Sequence, residues 1–120
     1  MVFVANLGRG RQVRRLRLGI AMFAVGLGLA VVLSRESATR AGIAALFFVF
    51  FIAHLLIAIG ITGSDPILAE RGLRDMDDGP EYIHLAAERA DAVKSGRSVI
   101  VIAVVSAGLV TAILLLAAVV

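Results

Sequence analysis

AGIAALFFVFFIAHLLIAIGI, residues 41–61, runs for 21 positions without an Asp, Glu, Lys or Arg. Coiled as an α-helix at ~1.5 Å per residue it is roughly 31 Å long, matching the ~30 Å hydrocarbon core of a bilayer. Two further uncharged apolar runs flank it, Leu18 to Leu33 before and Ser98 to Val120 after, with helical lengths of roughly 24 and 34 Å. The shorter one spans if Leu16 joins it and Arg17 extends its guanidinium back to the interface. Backbone groups in lipid must be paired within their own segment, and the chain has too few alternating stretches to close a barrel. We therefore expect an all-α membrane protein with transmembrane helices at about 17–33, 41–62 and 98–119.

Composition agrees. Of 120 residues, 60% are hydrophobic and 18% charged, with a mean hydropathy of +0.98, which excludes an ordinary water-soluble domain. There is no cysteine, so disulfides, thiolate nucleophiles and iron–sulfur ligation are excluded, and two histidines are too few for a multi-histidine metal centre. A basic stretch before the first apolar run, including Arg14-Arg15, resembles an export signal. The exit sequence Ser34 to Arg40 offers a poor small-x-small cleavage site, and the next span follows at once, so a retained hairpin is expected.

Basic residues resist translocation, so their distribution sets orientation. Arg9, Arg11, Arg14, Arg15 and Arg17 precede the first run, while Arg35 and Arg40 lie between the first two. Arg71, Arg74, Arg89, Lys94 and Arg97 lie between the last two, and nothing charged follows the third. A cytoplasmic N-terminus and an external C-terminus keep ten basic residues inside and two outside. Beside a membrane span, the basic arm Arg9 to Arg17 reads as a stop-transfer element facing anionic lipid, not as a nucleic-acid contact.

The segment between the last two runs divides the chain into residues 1–74, a hairpin with a basic arm and a short interfacial helix; 75–97, a cytoplasmic linker; and 98–120, the third span. Asp65-Pro66 pairs an N-cap with proline at the first helical position, and Gly72 ends that helix. A second start is expected at Asp78-Gly79-Pro80-Glu81, opening an amphipathic linker helix over about 80–95, with a kink at Gly96. Asp75, Asp77, Asp78 and Glu81 lack the spacing of a calcium loop. They read instead as a solvated turn giving negative charge to a helix N-terminus, and no metal site is expected.

His54 is an ionisable residue inside an apolar span, which makes it a site candidate. Counting inward from the helix ends sets it level with Gly26 and Ser106. One reading is packing, a neutral ring donating to Ser106 or a backbone carbonyl. The other is proton handling or axial ligation of a haem or chlorophyll-type pigment, with Phe47, Phe50 and Phe51 on the same face. Small residues at helix-packing spacing, Gly26 with Ala30, Ala24 with Gly28, and Ala103 with Ala107, permit close helix contact.

Two spaced motifs carry a resemblance. Asn6-Leu7-Gly8-Arg9 followed by Arg15 and Gly19, then Pro66 and Gly72, resemble the signature of a family of small bacterial inner-membrane proteins of unknown function. Its members form a two-helix membrane domain that occurs alone or attached to rhodanese. The resemblance covers about residues 5–75. It implies a hairpin in the bacterial inner membrane with both polar ends cytoplasmic, and helix-mediated self-association. Asp65 stands where the family has cysteine, which removes any sulfur-relay role, and Arg11-Gln12 replaces its usual Asp-Arg. No phosphate loop, triad or paired carboxylates are visible. The sequence therefore leads to a non-enzymatic membrane protein working as a homo-oligomer or an accessory subunit, in contact with lipid and with itself or other membrane subunits, without nucleic acid or an identifiable small-molecule substrate. The alternative is a pigment-binding or proton-handling subunit centred on His54.

Overall fold

The computed structural model describes residues 3–35 and 40–119. Three long helices, α1 (Arg9–Arg35), α2 (Arg40–Thr62) and α4 (Ala86–Val119), are joined at one end by a short helix α3 (Pro66–Glu70) and a hairpin of β1 (Leu73–Asp75) and β2 (Pro80–Tyr82). The molecule measures 53 × 22 × 20 Å, close to the length of α4 alone at ~1.5 Å per residue. All three long helices are apolar enough over 18 residues or more to cross a membrane.

α2 lies between the other two and packs against both. Against α1 it runs antiparallel, with contacts climbing one helix as they descend the other. A Cβ added at Gly19 would lie 2.8 Å from the Ile57 backbone nitrogen, one at Gly26 would lie 2.8 Å from the Phe50 ring, and one at Gly60 would lie 2.7 Å from Leu16 Cβ. Glycine at these positions lets the backbones approach and gain dispersion contacts that a methyl group would forbid. α4 offers α2 a stripe repeating every four residues, Val99, Ala103, Ala107 and Thr111, all buried. The Thr111 hydroxyl donates to the Ala107 carbonyl at 2.8 Å, so this buried polar group is satisfied within its helix. Phe50, fully enclosed, forms the centre of a cluster with Ala30, Leu46 and Ala107.

Four expectations are revised. The chain is mostly helical, as expected, but it also carries a small two-stranded sheet: Leu73 pairs with Tyr82, Arg74 with Glu81 and Asp75 with Pro80 in antiparallel register. The linker helix does not begin at Pro80 and is not separate: residues 80–82 are strand, and the helix begins at Ala86 and continues into the third apolar run without a break. The cause is the turn before it. The Asp75 carboxylate accepts the amides of Asp77 (3.1 Å) and Gly79 (3.3 Å), and Asp77 and Gly79 take φ of 77° and 97°. That left-handed geometry closes a hairpin in place of a helical N-cap. Gly96 does not interrupt α4 but sits buried 2.8 Å (at its would-be Cβ) from Pro66 Cα, so its missing side chain serves the α3–α4 contact. Finally, α1 starts at Arg9 and takes in the whole basic arm.

The short helix follows its sequence signals. Asp65 caps α3, its carboxylate accepting from Ile67 (2.9 Å) and Leu68 (3.3 Å). Gly72, at φ 68°, leaves the helix in the left-handed region where a Cβ is penalised.

Candidate functional site

At the end of the bundle where α1 begins and α2 finishes, the extended residues before α1 thread between the α2–α3 corner and the hairpin. The thread is held by backbone bonds on both sides. Asn6 donates its amide to the Gly63 carbonyl (2.9 Å) and accepts from the Asp75 amide (2.8 Å), and the Gly8 amide donates to the Asp75 carbonyl (2.7 Å). The Asn6 side chain clamps Asp65 from both directions: its Nδ2 donates to the Asp65 carbonyl at 2.9 Å, and its Oδ1 accepts from the Asp65 amide at 2.7 Å. Leu7 on the same thread enters the apolar cluster of Ala58, Ile59 and Val99. One residue thus satisfies buried backbone groups while its neighbour fills the core beneath them.

Two buried carboxylates organise this cap. Asp65 and Asp75 are 3% and 6% exposed, and each faces an arginine of α1, Arg15 at 3.6 Å and Arg11 at 3.5 Å. The arginines are four residues apart, one helical turn, so a single face of α1 meets both acids. A third acid, Asp77, caps α1 itself, its carboxylate oxygens accepting from the amides of Gly10 and Arg11 at 3.1 Å each. The acidic turn does give charge to a helix N-terminus, but to one that lies 66 residues earlier in the chain. A Cβ on Gly8 would fall 2.5 Å from the Asp77 carboxyl carbon, so that glycine is required by the cap. Among the described residues no buried side-chain nitrogen or oxygen lacks a partner, and no group of three His, Asp or Glu is placed to hold a metal ion. Ser95 links α4 to the cap, accepting from the Val4 amide (2.9 Å) and donating to Ser64 (2.8 Å).

Within the bundle, His54 is half-buried, and its Nδ1 donates to the Phe50 carbonyl at 2.7 Å. The ring meets Phe23 of α1 edge-on, with centroids 5.4 Å apart, whereas Gly26 abuts Phe50 one turn away. Counting from the helix ends assumed a common starting plane that α1, beginning at Arg9, does not share. Ser106 is half-buried; Gly26, Ala30, Ala103 and Ala107 are buried inside this single chain. Ala24 and Gly28 are exposed, and a Cβ on Gly28 would meet nothing within 4 Å. Of the basic arm, Arg11 and Arg15 are used by the cap, and Arg9, Arg14 and Arg17 are exposed.

Sequence reading missed the Asn6–Asp65 clamp and the Asp77 cap, because both join segments about sixty residues apart. The only signal was the Asn-x-Gly spacing itself. No family model, curated protein or solved structure matches this chain.

Proposed function

We propose that this chain is a small, non-enzymatic integral membrane protein of the bacterial inner membrane, its N-terminus cytoplasmic, acting through helix association as a homo-oligomer or as an accessory subunit. The observation that carries this reading is an outer α1 face with no partner among the described residues. Its close-packing residues Gly19 and Gly26 are spent on α2, while Ala24 and Gly28, exposed beside Ile20, Val31 and Val32, leave room for a second backbone. The exposed, uncharged perimeters of residues 18–33 of α1 and of α4 beyond Arg97, with the surplus of basic residues at the capped end, support the membrane setting and its orientation.

The native chain has no cysteine, which makes the test clean. Gly28→Cys in native membranes should give a disulfide-linked dimer under mild oxidation, and the buried Gly26→Cys should not. If Gly28→Cys stays monomeric at native expression and no other subunit co-purifies in gentle detergent, the association reading is wrong. For orientation, Asp78→Cys should be shielded from an impermeant maleimide in intact cells while Arg40→Cys is labelled.

A second reading concerns His54. Because Nδ1 is committed to the Phe50 carbonyl, Nε2 is the ring nitrogen left to serve as a ligand, the arrangement of a metal-ligating imidazole held by a backbone acceptor. The same bond also serves as simple packing. A visible chromophore in native material that is lost in His54→Ala would favour pigment or haem ligation; colourless protein would remove it.

A further inference from the structure

A groove of about 890 Å³ lies beside the cap between α3 and the first turns of α4, and four of its lining residues are Arg71, Arg89, Lys94 and Arg97. The single acid in its lining is Glu70, whose Oε1 lies 3.4 Å from Arg97 Nε. Four cations against one carboxylate leave a surplus of three positive charges around one concavity. Arg89 is fixed at one end by donating Nη1 to the carbonyls of Ile83 (2.7 Å) and His84 (3.1 Å); Arg71 and Lys94 are exposed. At Glu70 and Arg71 this groove meets a second of about 350 Å³, whose walls are Phe51, Leu55, Ile67 and Ile100.

A cationic hollow thus opens into an apolar channel. Arg97 and Lys94 lie within about a turn of Ser98, where the uncharged run of α4 begins. Phe51 lies 11 residues up α2 from Thr62, a depth of roughly 16 Å. In a bilayer the cations therefore stand at headgroup level and the channel at the level of the acyl chains.

We infer that the two grooves together form a binding site for one anionic phospholipid, its phosphate among Arg71, Lys94 and Arg97 and an acyl chain along Ile100, Leu55 and Phe51. The inference rests on the membrane reading above. A free phosphate or nucleotide would use the cations but leave the apolar channel empty, and no aromatic ring lines the cationic hollow to stack on a base. A zwitterionic lipid would fill the channel but bring its own positive charge to the cations. Only an anionic lipid answers both halves. The exposed arginines of α1 supply general attraction to an anionic surface, whereas here the charges converge on a cavity.

The test is native mass spectrometry of the full chain released from mixed micelles of phosphatidylglycerol and phosphatidylcholine. One phosphatidylglycerol should be retained per chain, and Arg71→Gln/Lys94→Gln should lower its retention relative to phosphatidylcholine roughly tenfold or more. Arg14→Gln/Arg17→Gln, with the same loss of charge, should leave that ratio unchanged. Should the first variant fail to fold, as judged by circular dichroism, Ala90→Glu puts an opposing charge in the hollow without removing a contact and should have the same effect. Equal retention of the two lipids, an equal loss in both double variants, or displacement of phosphatidylglycerol by excess inorganic phosphate would overturn the proposal. Carbonate extraction of native membranes separates the two failures: protein released by carbonate refutes the membrane reading, and protein retained there but binding no phosphatidylglycerol refutes the lipid site alone.

Discussion

Replacing Asn6 with alanine removes both halves of the clamp on Asp65: in a position 3% exposed, that residue's amide is left without a partner and its carbonyl keeps only the Ala69 amide. The orphaned amide costs ~1–3 kcal/mol and the lost bond to the carbonyl a further ~0.5–1.5 kcal/mol, so the loss should be about 3 kcal/mol. At 1.4 kcal/mol per decade, that raises the opening equilibrium of the cap by about two orders of magnitude. The three long helices do not depend on this contact, so the opening should be local. Hydrogen exchange in detergent reads it directly: protection of the amides of Gly8, Asp65 and Asp75 should fall about 100-fold, while those of α2 around Phe50 hold and the helical circular dichroism stays unchanged. Asn6→Asp should fare no better, because it turns the donor to the Asp65 carbonyl into an acceptor. Arg15→Gln, which removes a half-exposed partner at 3.6 Å, should change protection by less than fivefold, in keeping with ~0–1 kcal/mol for such pairs. Protection in Asn6→Ala within threefold of the parent would refute the clamp as the bond that holds the cap.

The two tight glycines of α1 should respond differently to repair. Gly26→Ala, which meets the flexible edge of the Phe50 ring, should lose about 1–3 kcal/mol in a denaturant titration and recover most of it with Phe50→Leu. Gly19→Ala meets the Ile57 amide nitrogen and the Ala53 carbonyl oxygen at 2.8 and 2.9 Å, so trimming Ile57 should not rescue it. Gly28→Ala, with open space around it, should leave the monomer's stability unchanged or raise it by up to ~1 kcal/mol. Asp77→Ala should destabilise the start of α1 by ~0.5–2 kcal/mol, seen as faster exchange at Gly10 and Arg11, with Asp77→Asn intermediate because its amide can accept only one of the two bonds.

How much was legible divides along one line. Lipid-scale apolar runs, the proline and aspartate opening α3, and the glycine closing it are written in consecutive residues, and a local signal is enough when the physics is local: hydropathy, capping and a left-handed φ. The linker helix was misread for the same reason. Asp78-Gly79-Pro80-Glu81 is a fair helix start taken alone, and what defeats it is Asp75 folding its own carboxylate back onto the turn while Ile83 is drawn into a small core with Ala69 and Ala92.

The sequence by itself determined that three stretches are apolar helices, because the period and length of a hydrophobic run need no partner to be read. Tertiary structure alone decided which helix lies in the middle, that Asn6 grips Asp65 and Asp77 crowns α1, and that four basic residues close on one groove. Those facts depend on which distant backbone groups are left unpaired when the helices come together, and that becomes defined only once they are packed.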